Sequence, residues 1–254
     1  MDAAKADVKQ FWEEAPCGTR DTVELAEQEQ HRELERMRDA REPFIAEYAR
    51  FAETAGQRVL EVGVGAGTDH LRFARAGALL SGVDLTEAAI ALTGQRLALE
   101  GLRSELRVGD AEHLPFEDDR FDVVYSWGVI HHTPDVARAA REILRVLRPG
   151  GRFCVMVYNR RSLVALQTWL RFAVLRGRFD LSVREAIARH MESPGTQAYT
   201  AAEARALFPV RDVRVDTRIT AYDLRLGRRL FLPRWTWSLV PSSLGWFHIV
   251  QGTK

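Results

Sequence analysis

From residue 57 onward the apolar positions fall into short unbroken runs separated by stretches with helical spacing. Residues 57–62, 78–83, 106–108, 121–126 and 153–158 read as five strands, the second closing at Asp84. Helices are expected between them: from the glycine stretch to about Ala76, and from Thr86, a capping residue, through Ile90, Leu92, Leu97 and Leu99 to Gly101. A third is expected from Pro134 to Leu147, capped at Thr133 with the proline in its first turn and stopped by Pro149, Gly150 and Gly151. Strands alternating with helices at this spacing predict an α/β domain whose mostly parallel sheet is covered on both faces.

Outside that alternation the pattern is helical. Residues 1–55 carry no strand pattern; Phe44, Ile45, Tyr48 and Phe51 recur at helical spacing behind Pro43 and predict an amphipathic helix packed on the core. These residues are expected to form an amino-terminal cap or lid on a domain covering 56–254. Within that domain, residues 160–208 are expected to form a helical insertion over the substrate pocket, with a capping box from Thr200 to Glu203. Val213, Val215, Thr217 and Ile219 alternate with Arg214, Asp216 and Arg218, which predicts a half-buried strand near a sheet edge, and residues 246–251 a last short strand.

Composition narrows the class. The longest candidate membrane run, residues 163–175, is interrupted by Gln167, Thr168 and Arg171, and the first 30 residues are too polar for a secretory leader, so a cytoplasmic location is expected. Two cysteines, Cys17 and Cys154, are too few for a disulfide framework or a zinc cluster, and no metal site is expected. Charge is uneven: residues 160–254 hold 16 Lys and Arg against 7 Asp and Glu, whereas residues 1–159 hold 20 against 28. Such asymmetry suggests different partners for the two parts.

The stretch LEVGVGAGTDH, residues 60–70, sets Gly63, Gly65 and Gly67 behind a strand. A phosphate-binding loop needs Gly-Lys-Ser/Thr at its end, and here Thr68 and Asp69 follow Gly67. The dinucleotide fingerprint needs a third glycine where Thr68 stands. Glu61, two residues before Gly63, repels a pyrophosphate and favours an ammonium group. Asp84 lies 21 residues beyond Gly63, where a carboxylate accepts from ribose hydroxyls. Asp110, in GDAEHLPF, can accept from an adenine amino group while Ala111 leaves room for the ring. Ammonium, ribose and adenine sites in that order describe S-adenosylmethionine.

Five segments in one order, LEVGVGAG, GVDLT, GDAEHLPF, FDVVYSWGVIHHTPD and LRPGGRF, make residues 59–158 resemble a class I S-adenosylmethionine-dependent methyltransferase of the type 11 family, related to quinone-biosynthesis enzymes. The resemblance implies a Rossmann-like, seven-stranded, mostly parallel sheet with a reversed last strand. It also implies cofactor contacts from Glu61, Gly63, Gly65, Asp84, Leu85, Asp110 and Ala111. Ser126, near the end of the fourth strand, and Trp12, in the amino-terminal segment QFWEEAPCGT, are expected to complete the cofactor shell, Trp12 with Phe11 either as a lid that excludes water or as residues that pack a helix onto the core. Asp122 and Gly67 read as structural.

The acceptor is expected at the carboxyl ends of the fourth and fifth strands. His131, His132 and Tyr158 are the candidate catalytic residues, the histidines either as bases or as groups that position the cofactor. Trp127, Tyr125 and Asn159 are further candidates for the pocket wall. In the insertion, Leu163, Leu166, Leu170 and Val174 form an apolar stripe beside Trp169, accompanied by Arg160, Arg161, Arg171, Arg176 and Arg178; Arg228, Arg229, Phe231, Arg234, Trp235 and Trp237 repeat the basic and aromatic theme. This pattern suits a folded core with solvated arginines, or a surface that meets an anionic membrane or a lipid-like acceptor. No nucleic-acid partner is expected, since no recognition motif accompanies the arginines. The sequence therefore predicts methyl transfer to a small, apolar or anionic acceptor, its rivals being a nicotinamide-dependent oxidoreductase and a non-catalytic cofactor-binding partner subunit.

Overall fold

The computed structural model describes residues 3–16, 19, 27–226 and 230–254. Cys17, Arg228 and Arg229 lie outside the described residues. Among the described residues the chain opens with three α-helices, α1 Ala3–Glu14, α2 Glu27–Arg41 and α3 Ile45–Ala49. The amphipathic segment behind Pro43 is shorter than its spacing predicts, because Arg50 turns left-handed at φ 54 and Phe51 starts a 3-10 turn. The alternating part follows as β1 Arg58–Val62, α4 Thr68–Arg75, β2 Leu79–Asp84, α5 Glu87–Leu99, β3 Glu105–Val108, β4 Phe121–Trp127, α6 Val136–Val146 and β5 Leu147–Asn159. After it come α7 Leu163–Phe172, α8 Val183–His190, β6 Ala198–Tyr199, α9 Ala201–Ala206, β7 Arg214–Arg218, the short hairpin β8 Arg225–Leu226 and β9 Leu230–Phe231, and β10 Phe247–Thr253.

Seven strands run in the order β3-β2-β1-β4-β5-β10-β7, with the two-residue β6 paired to β5. Strands β1 to β5 are mutually parallel, and β10 runs antiparallel between β5 and β7. The Rossmann-like sheet with its reversed last strand is thus as expected. Strand β7 occupies the edge foreseen from its alternation.

Alternation along the strands builds two cores. Leu60, Val62, Val124, Phe153, Val155 and Val157 face one side, where α6 lays Val136, Ala139, Ala140, Ile143 and Val146 against them at helical spacing. Val59, Val123, Tyr125, Cys154, Met156 and Tyr158 face the other, under Ile45, Tyr48, Phe73, Ala165 and Ile187. Cys154 is fully buried there, and burial pushes its thiol up to about 12.

Three local expectations shift. The cap of α6 is Asp135, whose carboxylate accepts from Arg138 N at 2.9 Å, while the Thr133 hydroxyl donates instead to Ile130 O; the helix therefore starts later than Pro134. Pro149, Gly150 and Gly151 end that helix but already belong to β5. The helical insertion is broken into three helices and a two-residue strand: a 3-10 turn at Val174–Arg176 and left-handed Gly177 separate α7 from α8, and β6 precedes α9. The Thr200–Glu203 capping box forms as read.

Candidate active site

Strand β1 delivers the chain to Gly63 at φ 82, and the loop turns again at Gly65 and Gly67 before α4 begins. A side chain at Gly63 would strike Val129, its Cβ lying 2.1 Å from a Val129 methyl, so the close approach of these segments demands glycine. Gly67 serves packing: a Cβ there would lie 2.7 Å from the Thr93 hydroxyl on α5. Arg96, also on α5 and fully buried, donates to Ala66 O and fixes the loop from behind.

A cavity of about 770 Å³ opens at the carboxyl ends of β1, β2, β4 and β5. Of the expected cofactor residues, Gly63, Gly65, Asp84, Leu85, Asp110, Ala111 and Trp12 line it. Asp84 accepts from Gly65 N at 3.0 Å, Thr86 N at 3.0 Å and the Thr86 hydroxyl at 2.7 Å. Three of a carboxylate's roughly four lone-pair sites are therefore engaged, which leaves room for one further donor rather than two. Asp110 accepts from Glu112 N at 2.9 Å and from Lys5 Nζ at 2.7 Å; that lysine, on α1, also reaches Glu112 at 2.6 Å. Burial would raise the Asp110 carboxyl, but the Lys5 ammonium outweighs it and holds it below its usual range.

Glu61 and Ser126 are placed elsewhere. Ser126 donates to Val62 O at 3.0 Å, tying β4 to β1. Glu61 shares the face of Val59 and turns under α4, where its carboxyl lies 2.8 Å from His70 Nδ1. Both side chains are buried; burial pushes the Glu61 carboxyl well up and the imidazole down to about 3. Neither lines the cavity, so an ammonium group in it does not meet Glu61 directly. The charged groups that do face that end are Arg38 of α2 and Glu42 just beyond it, neither of which the sequence singles out. Arg38 pairs with Asp69 at 2.5 Å and with Glu42 at 3.1 Å, Trp127 Nε1 donates to Glu42 at 2.6 Å, and the Tyr125 hydroxyl donates to Asp69 at 2.9 Å. Arg38 Nε, also buried, has no hydrogen-bond partner among the described residues.

On the acceptor side Trp127, His132 and Tyr158 line the cavity, together with Met156, Phe172, Met191, Glu192 and Phe247. His131 does not: it is fully buried, its ring 3.9 Å from that of Tyr158 and 4.3 Å from that of His132, and burial keeps it neutral by pulling it well below its ordinary value. His132 is held by hydrogen bonds at one nitrogen. Its Nδ1 meets Ser193 Oγ at 2.8 Å and Thr196 Oγ1 at 3.0 Å, and its Nε2 lies 3.2 Å from the Glu192 carboxylate. Glu192 also accepts from the Tyr158 hydroxyl at 2.8 Å. Burial alone would raise Glu192, yet His132 and Tyr158 together hold it below the usual carboxylate range. Its backbone is left-handed at φ 42, a conformation that costs a glutamate roughly 1–3 kcal/mol and is commonest at functional sites. The only sequence signal for it was the polar turn HMESPG behind a helix. Tyr125 and Asn159, expected in the pocket wall, do not line the cavity: Tyr125 is turned to Asp69, and Asn159 donates to Ser243 O and Gly245 O. Asp122 is structural as read, accepting from Arg58 N.

The strand-end carboxylates Asp84 and Asp110 thus share one cavity with an aromatic chamber, in the crevice outside the carboxyl ends of the strands where Rossmann-like sheets bind ligands. Residues 60–155 match the family described as methyltransferase domain, and over that segment the chain is a class I S-adenosylmethionine-dependent methyltransferase domain. It is 38% identical over 111 residues to methyltransferase GfsG of Streptomyces halstedii, covering 42% of this chain and 40% of that protein. It is 45% identical over 105 residues to a phthiotriol/phenolphthiotriol dimycocerosates methyltransferase of Mycobacterium ulcerans, covering 41% and 38%. The match spans about two fifths of the length of these curated relatives. In fold the chain is similar to an S-adenosylmethionine-dependent methyltransferase from Aquifex aeolicus, with a TM-score of 0.54, 13% identity and coverage of 90% and 98%.

Proposed function

We propose that the whole chain transfers the methyl group of S-adenosylmethionine to a small organic acceptor. The observation that carries this reading is the single cavity: the cofactor-side carboxylates and the aromatic acceptor chamber are two ends of one space. The donor set suits the cofactor. Asp84 keeps one site for a ribose hydroxyl, Ala111 lines the wall beside Asp110, and Arg38 with Glu42 offers both charges for an amino-acid tail. Glu61 supports this end indirectly, through the strand that carries Gly63.

The cofactor supplies an activated methyl carbon bound to positive sulfur. The protein contributes alignment and a dry site: Trp127, Tyr158, Trp246 and Phe247 wall the acceptor, and α1 roofs the cofactor end through Lys5, Val8 and Trp12. Glu192, ionised and fixed by Tyr158 and His132, takes the proton when the acceptor atom carries one. His132, held at Nδ1 by Ser193 and Thr196, turns its Nε2 toward Glu192 at 3.2 Å and so positions that carboxylate. Its ring also meets Trp12 edge-on at 5.4 Å, which links the roof to the acceptor side. The largely apolar chamber suits an acceptor with a substantial apolar part, and one of the relatives named above is a phthiotriol/phenolphthiotriol dimycocerosates methyltransferase.

Calorimetric titration with S-adenosylmethionine, S-adenosylhomocysteine and NAD tests the reading. Micromolar binding of the first two and none of NAD is expected. Binding of NAD alone would overturn it in favour of an oxidoreductase.

A further inference from the structure

Helix α7 has two working faces. Val164, Gln167, Thr168, Arg171 and Phe172, at helical spacing, face the cavity, while Leu166 and Leu170 on the far side are 47% and 40% exposed. Immediately beyond the helix, Leu175 and Phe179 are 81% and 75% exposed. Large apolar side chains open to this degree within 14 positions are unusual on a surface that meets only water.

The charge around them has one sign. Residues 160–179 contain five arginines and no Asp or Glu. Arg160 pairs with Glu203, but Arg171, Arg176 and Arg178 form no ion pair with a described carboxylate. Extending the stretch to residue 185 adds Arg184 against Asp180 and Glu185, so six arginines stand against two acids; Glu185 is held by the Ser182 capping box, lies 3.7 Å from Arg189 and also feels Arg178. The Arg171 and Arg176 guanidinium groups stand 5.1 and 4.8 Å from the Phe172 ring, with His190 stacked on it at 4.0 Å. Burial and then Arg176, Arg178 and Arg189 depress the His190 imidazole, so it adds no charge of its own at neutral pH. Because Phe172, Arg171 and His190 line the cavity, this basic cluster stands at the cavity's edge.

We propose that the segment from α7 to Phe179 docks on an anionic lipid surface, Leu166, Leu170, Leu175 and Phe179 entering the interface and Arg171, Arg176 and Arg178 meeting lipid phosphates. Interleaved leucine, phenylalanine and arginine is what such an interface selects: apolar groups gain by burial below the headgroups while guanidinium groups stay at phosphate level. A second copy of the chain fits worse, since a self-complementary face would bring the two sets of arginines together. A nucleic acid would use the arginines and leave the four apolar groups exposed. The inference is independent of the methyl-transfer reading; if both hold, an acceptor with a lipid tail would enter the cavity beside Phe172 from the bound surface.

The test is co-sedimentation of the full chain with vesicles of phosphatidylcholine containing phosphatidylglycerol, against phosphatidylcholine alone, with S-adenosylhomocysteine titration of each protein in parallel. Binding to the anionic vesicles only, weakened by added salt, is expected. Arg176→Ala with Arg178→Ala should weaken it by roughly 25-fold, about fivefold for each arginine, and Leu175→Glu with Phe179→Glu should abolish it; both variants should bind S-adenosylhomocysteine as the parent does. Absence of vesicle binding, or binding indifferent to both variants, would overturn the proposal. So would a dimer in light scattering that the Leu175 and Phe179 variant dissolves, or tight binding of duplex DNA that this variant leaves intact. Loss of S-adenosylhomocysteine binding by the parent, with vesicle binding kept, would sink the methyl-transfer reading alone.

Discussion

Glu61 and His70 together hold one proton. The Ser104 hydroxyl donates to Leu80 O at 3.0 Å and so accepts from His70 Nε2, which leaves Nδ1 facing Glu61 across a single hydrogen. Burial favours the neutral arrangement, a protonated carboxyl beside a neutral imidazole, by raising Glu61 and lowering His70 to about 3. The pH consequence follows from the reference values of 4.5 and 6.5. Between them the unfolded chain also holds one proton on the pair, so stability is flat. Below 4.5 the unfolded chain gains a second proton and stability falls; above 6.5 it releases its last while the folded pair keeps one, and stability falls again. Glu61→Gln keeps a donor facing Nδ1, so it should fold and lose the alkaline decline of about 1.4 kcal/mol per pH unit, as read by denaturant titration at several pH values. A variant whose curve parallels the parent's above pH 6.5 would refute the shared proton. The same variant should bind S-adenosylmethionine within about twofold of the parent, since Glu61 does not line the cavity, whereas Asp84→Ala should weaken binding by about 1–3 kcal/mol. Unchanged affinity in a folded Asp84 variant would remove the ribose assignment.

At the scale of elements, α1 behaves as a roof fastened at both ends. Lys5 grips Asp110 and Glu112, and Glu13 accepts from Glu87 N and Ala88 N at the start of α5, where a carboxylate also meets the positive end of the helix. Only Val8 of this helix is buried, so polar contacts carry much of the attachment. Removing residues 1–19 should speed S-adenosylhomocysteine release by about tenfold or more while shifting the melting temperature little, since lid loss acts on dissociation; stopped-flow release and thermal melts measure the two. Equal losses would mark α1 as ordinary packing. Gly63, Asp84 and Asp110 could be placed at one end of the cavity from the sequence because each stands where a short apolar run stops. Lys5, Arg38 and Glu192 could not. Each comes from a helix or turn without a motif, and its partner lies far along the chain, Asp69 being 31 positions from Arg38 and Asp110 being 105 from Lys5. Only the assembled fold brings such pairs together. The histidine pair shows the same limit, for His131 and His132 are adjacent in sequence but only the second reaches the cavity, because the 3-10 turn at Ile130–His132 sends the first against Tyr158.

For the whole molecule, the question is where the amino-terminal part ceases to be an attachment. Helix α3 gives Ile45, Tyr48 and Ala49 to the same core as β1, β4 and β5. Helix α2 is bound mainly through charge: Arg38 to Asp69 and Glu42, Asp39 to Arg72 at 2.6 Å, and Glu35 to Arg75 at 2.9 Å and Arg96 at 3.4 Å. The outer pairs are partly exposed and each contributes little. Arg38 differs, since both its acidic partners are buried, Asp69 at 3% and Glu42 at 5% exposure. Taking away one member of a buried ion cluster leaves the others uncompensated at a cost of about 3–5 kcal/mol, more than the cluster's own net worth. Arg38→Met, which keeps much of the side chain's bulk, should therefore lower stability by that amount. Because Asp69 sits on α4 and Glu42 holds Trp127 of β4, the loss should appear as one cooperative transition at lower denaturant with an unchanged slope. Two separate transitions, α2 leaving before the sheet unfolds, would show instead that the amino-terminal part is a dissociable cap. In that event cofactor affinity would fall with the first transition, since Arg38 and Glu42 line the cavity where the amino-acid tail is placed.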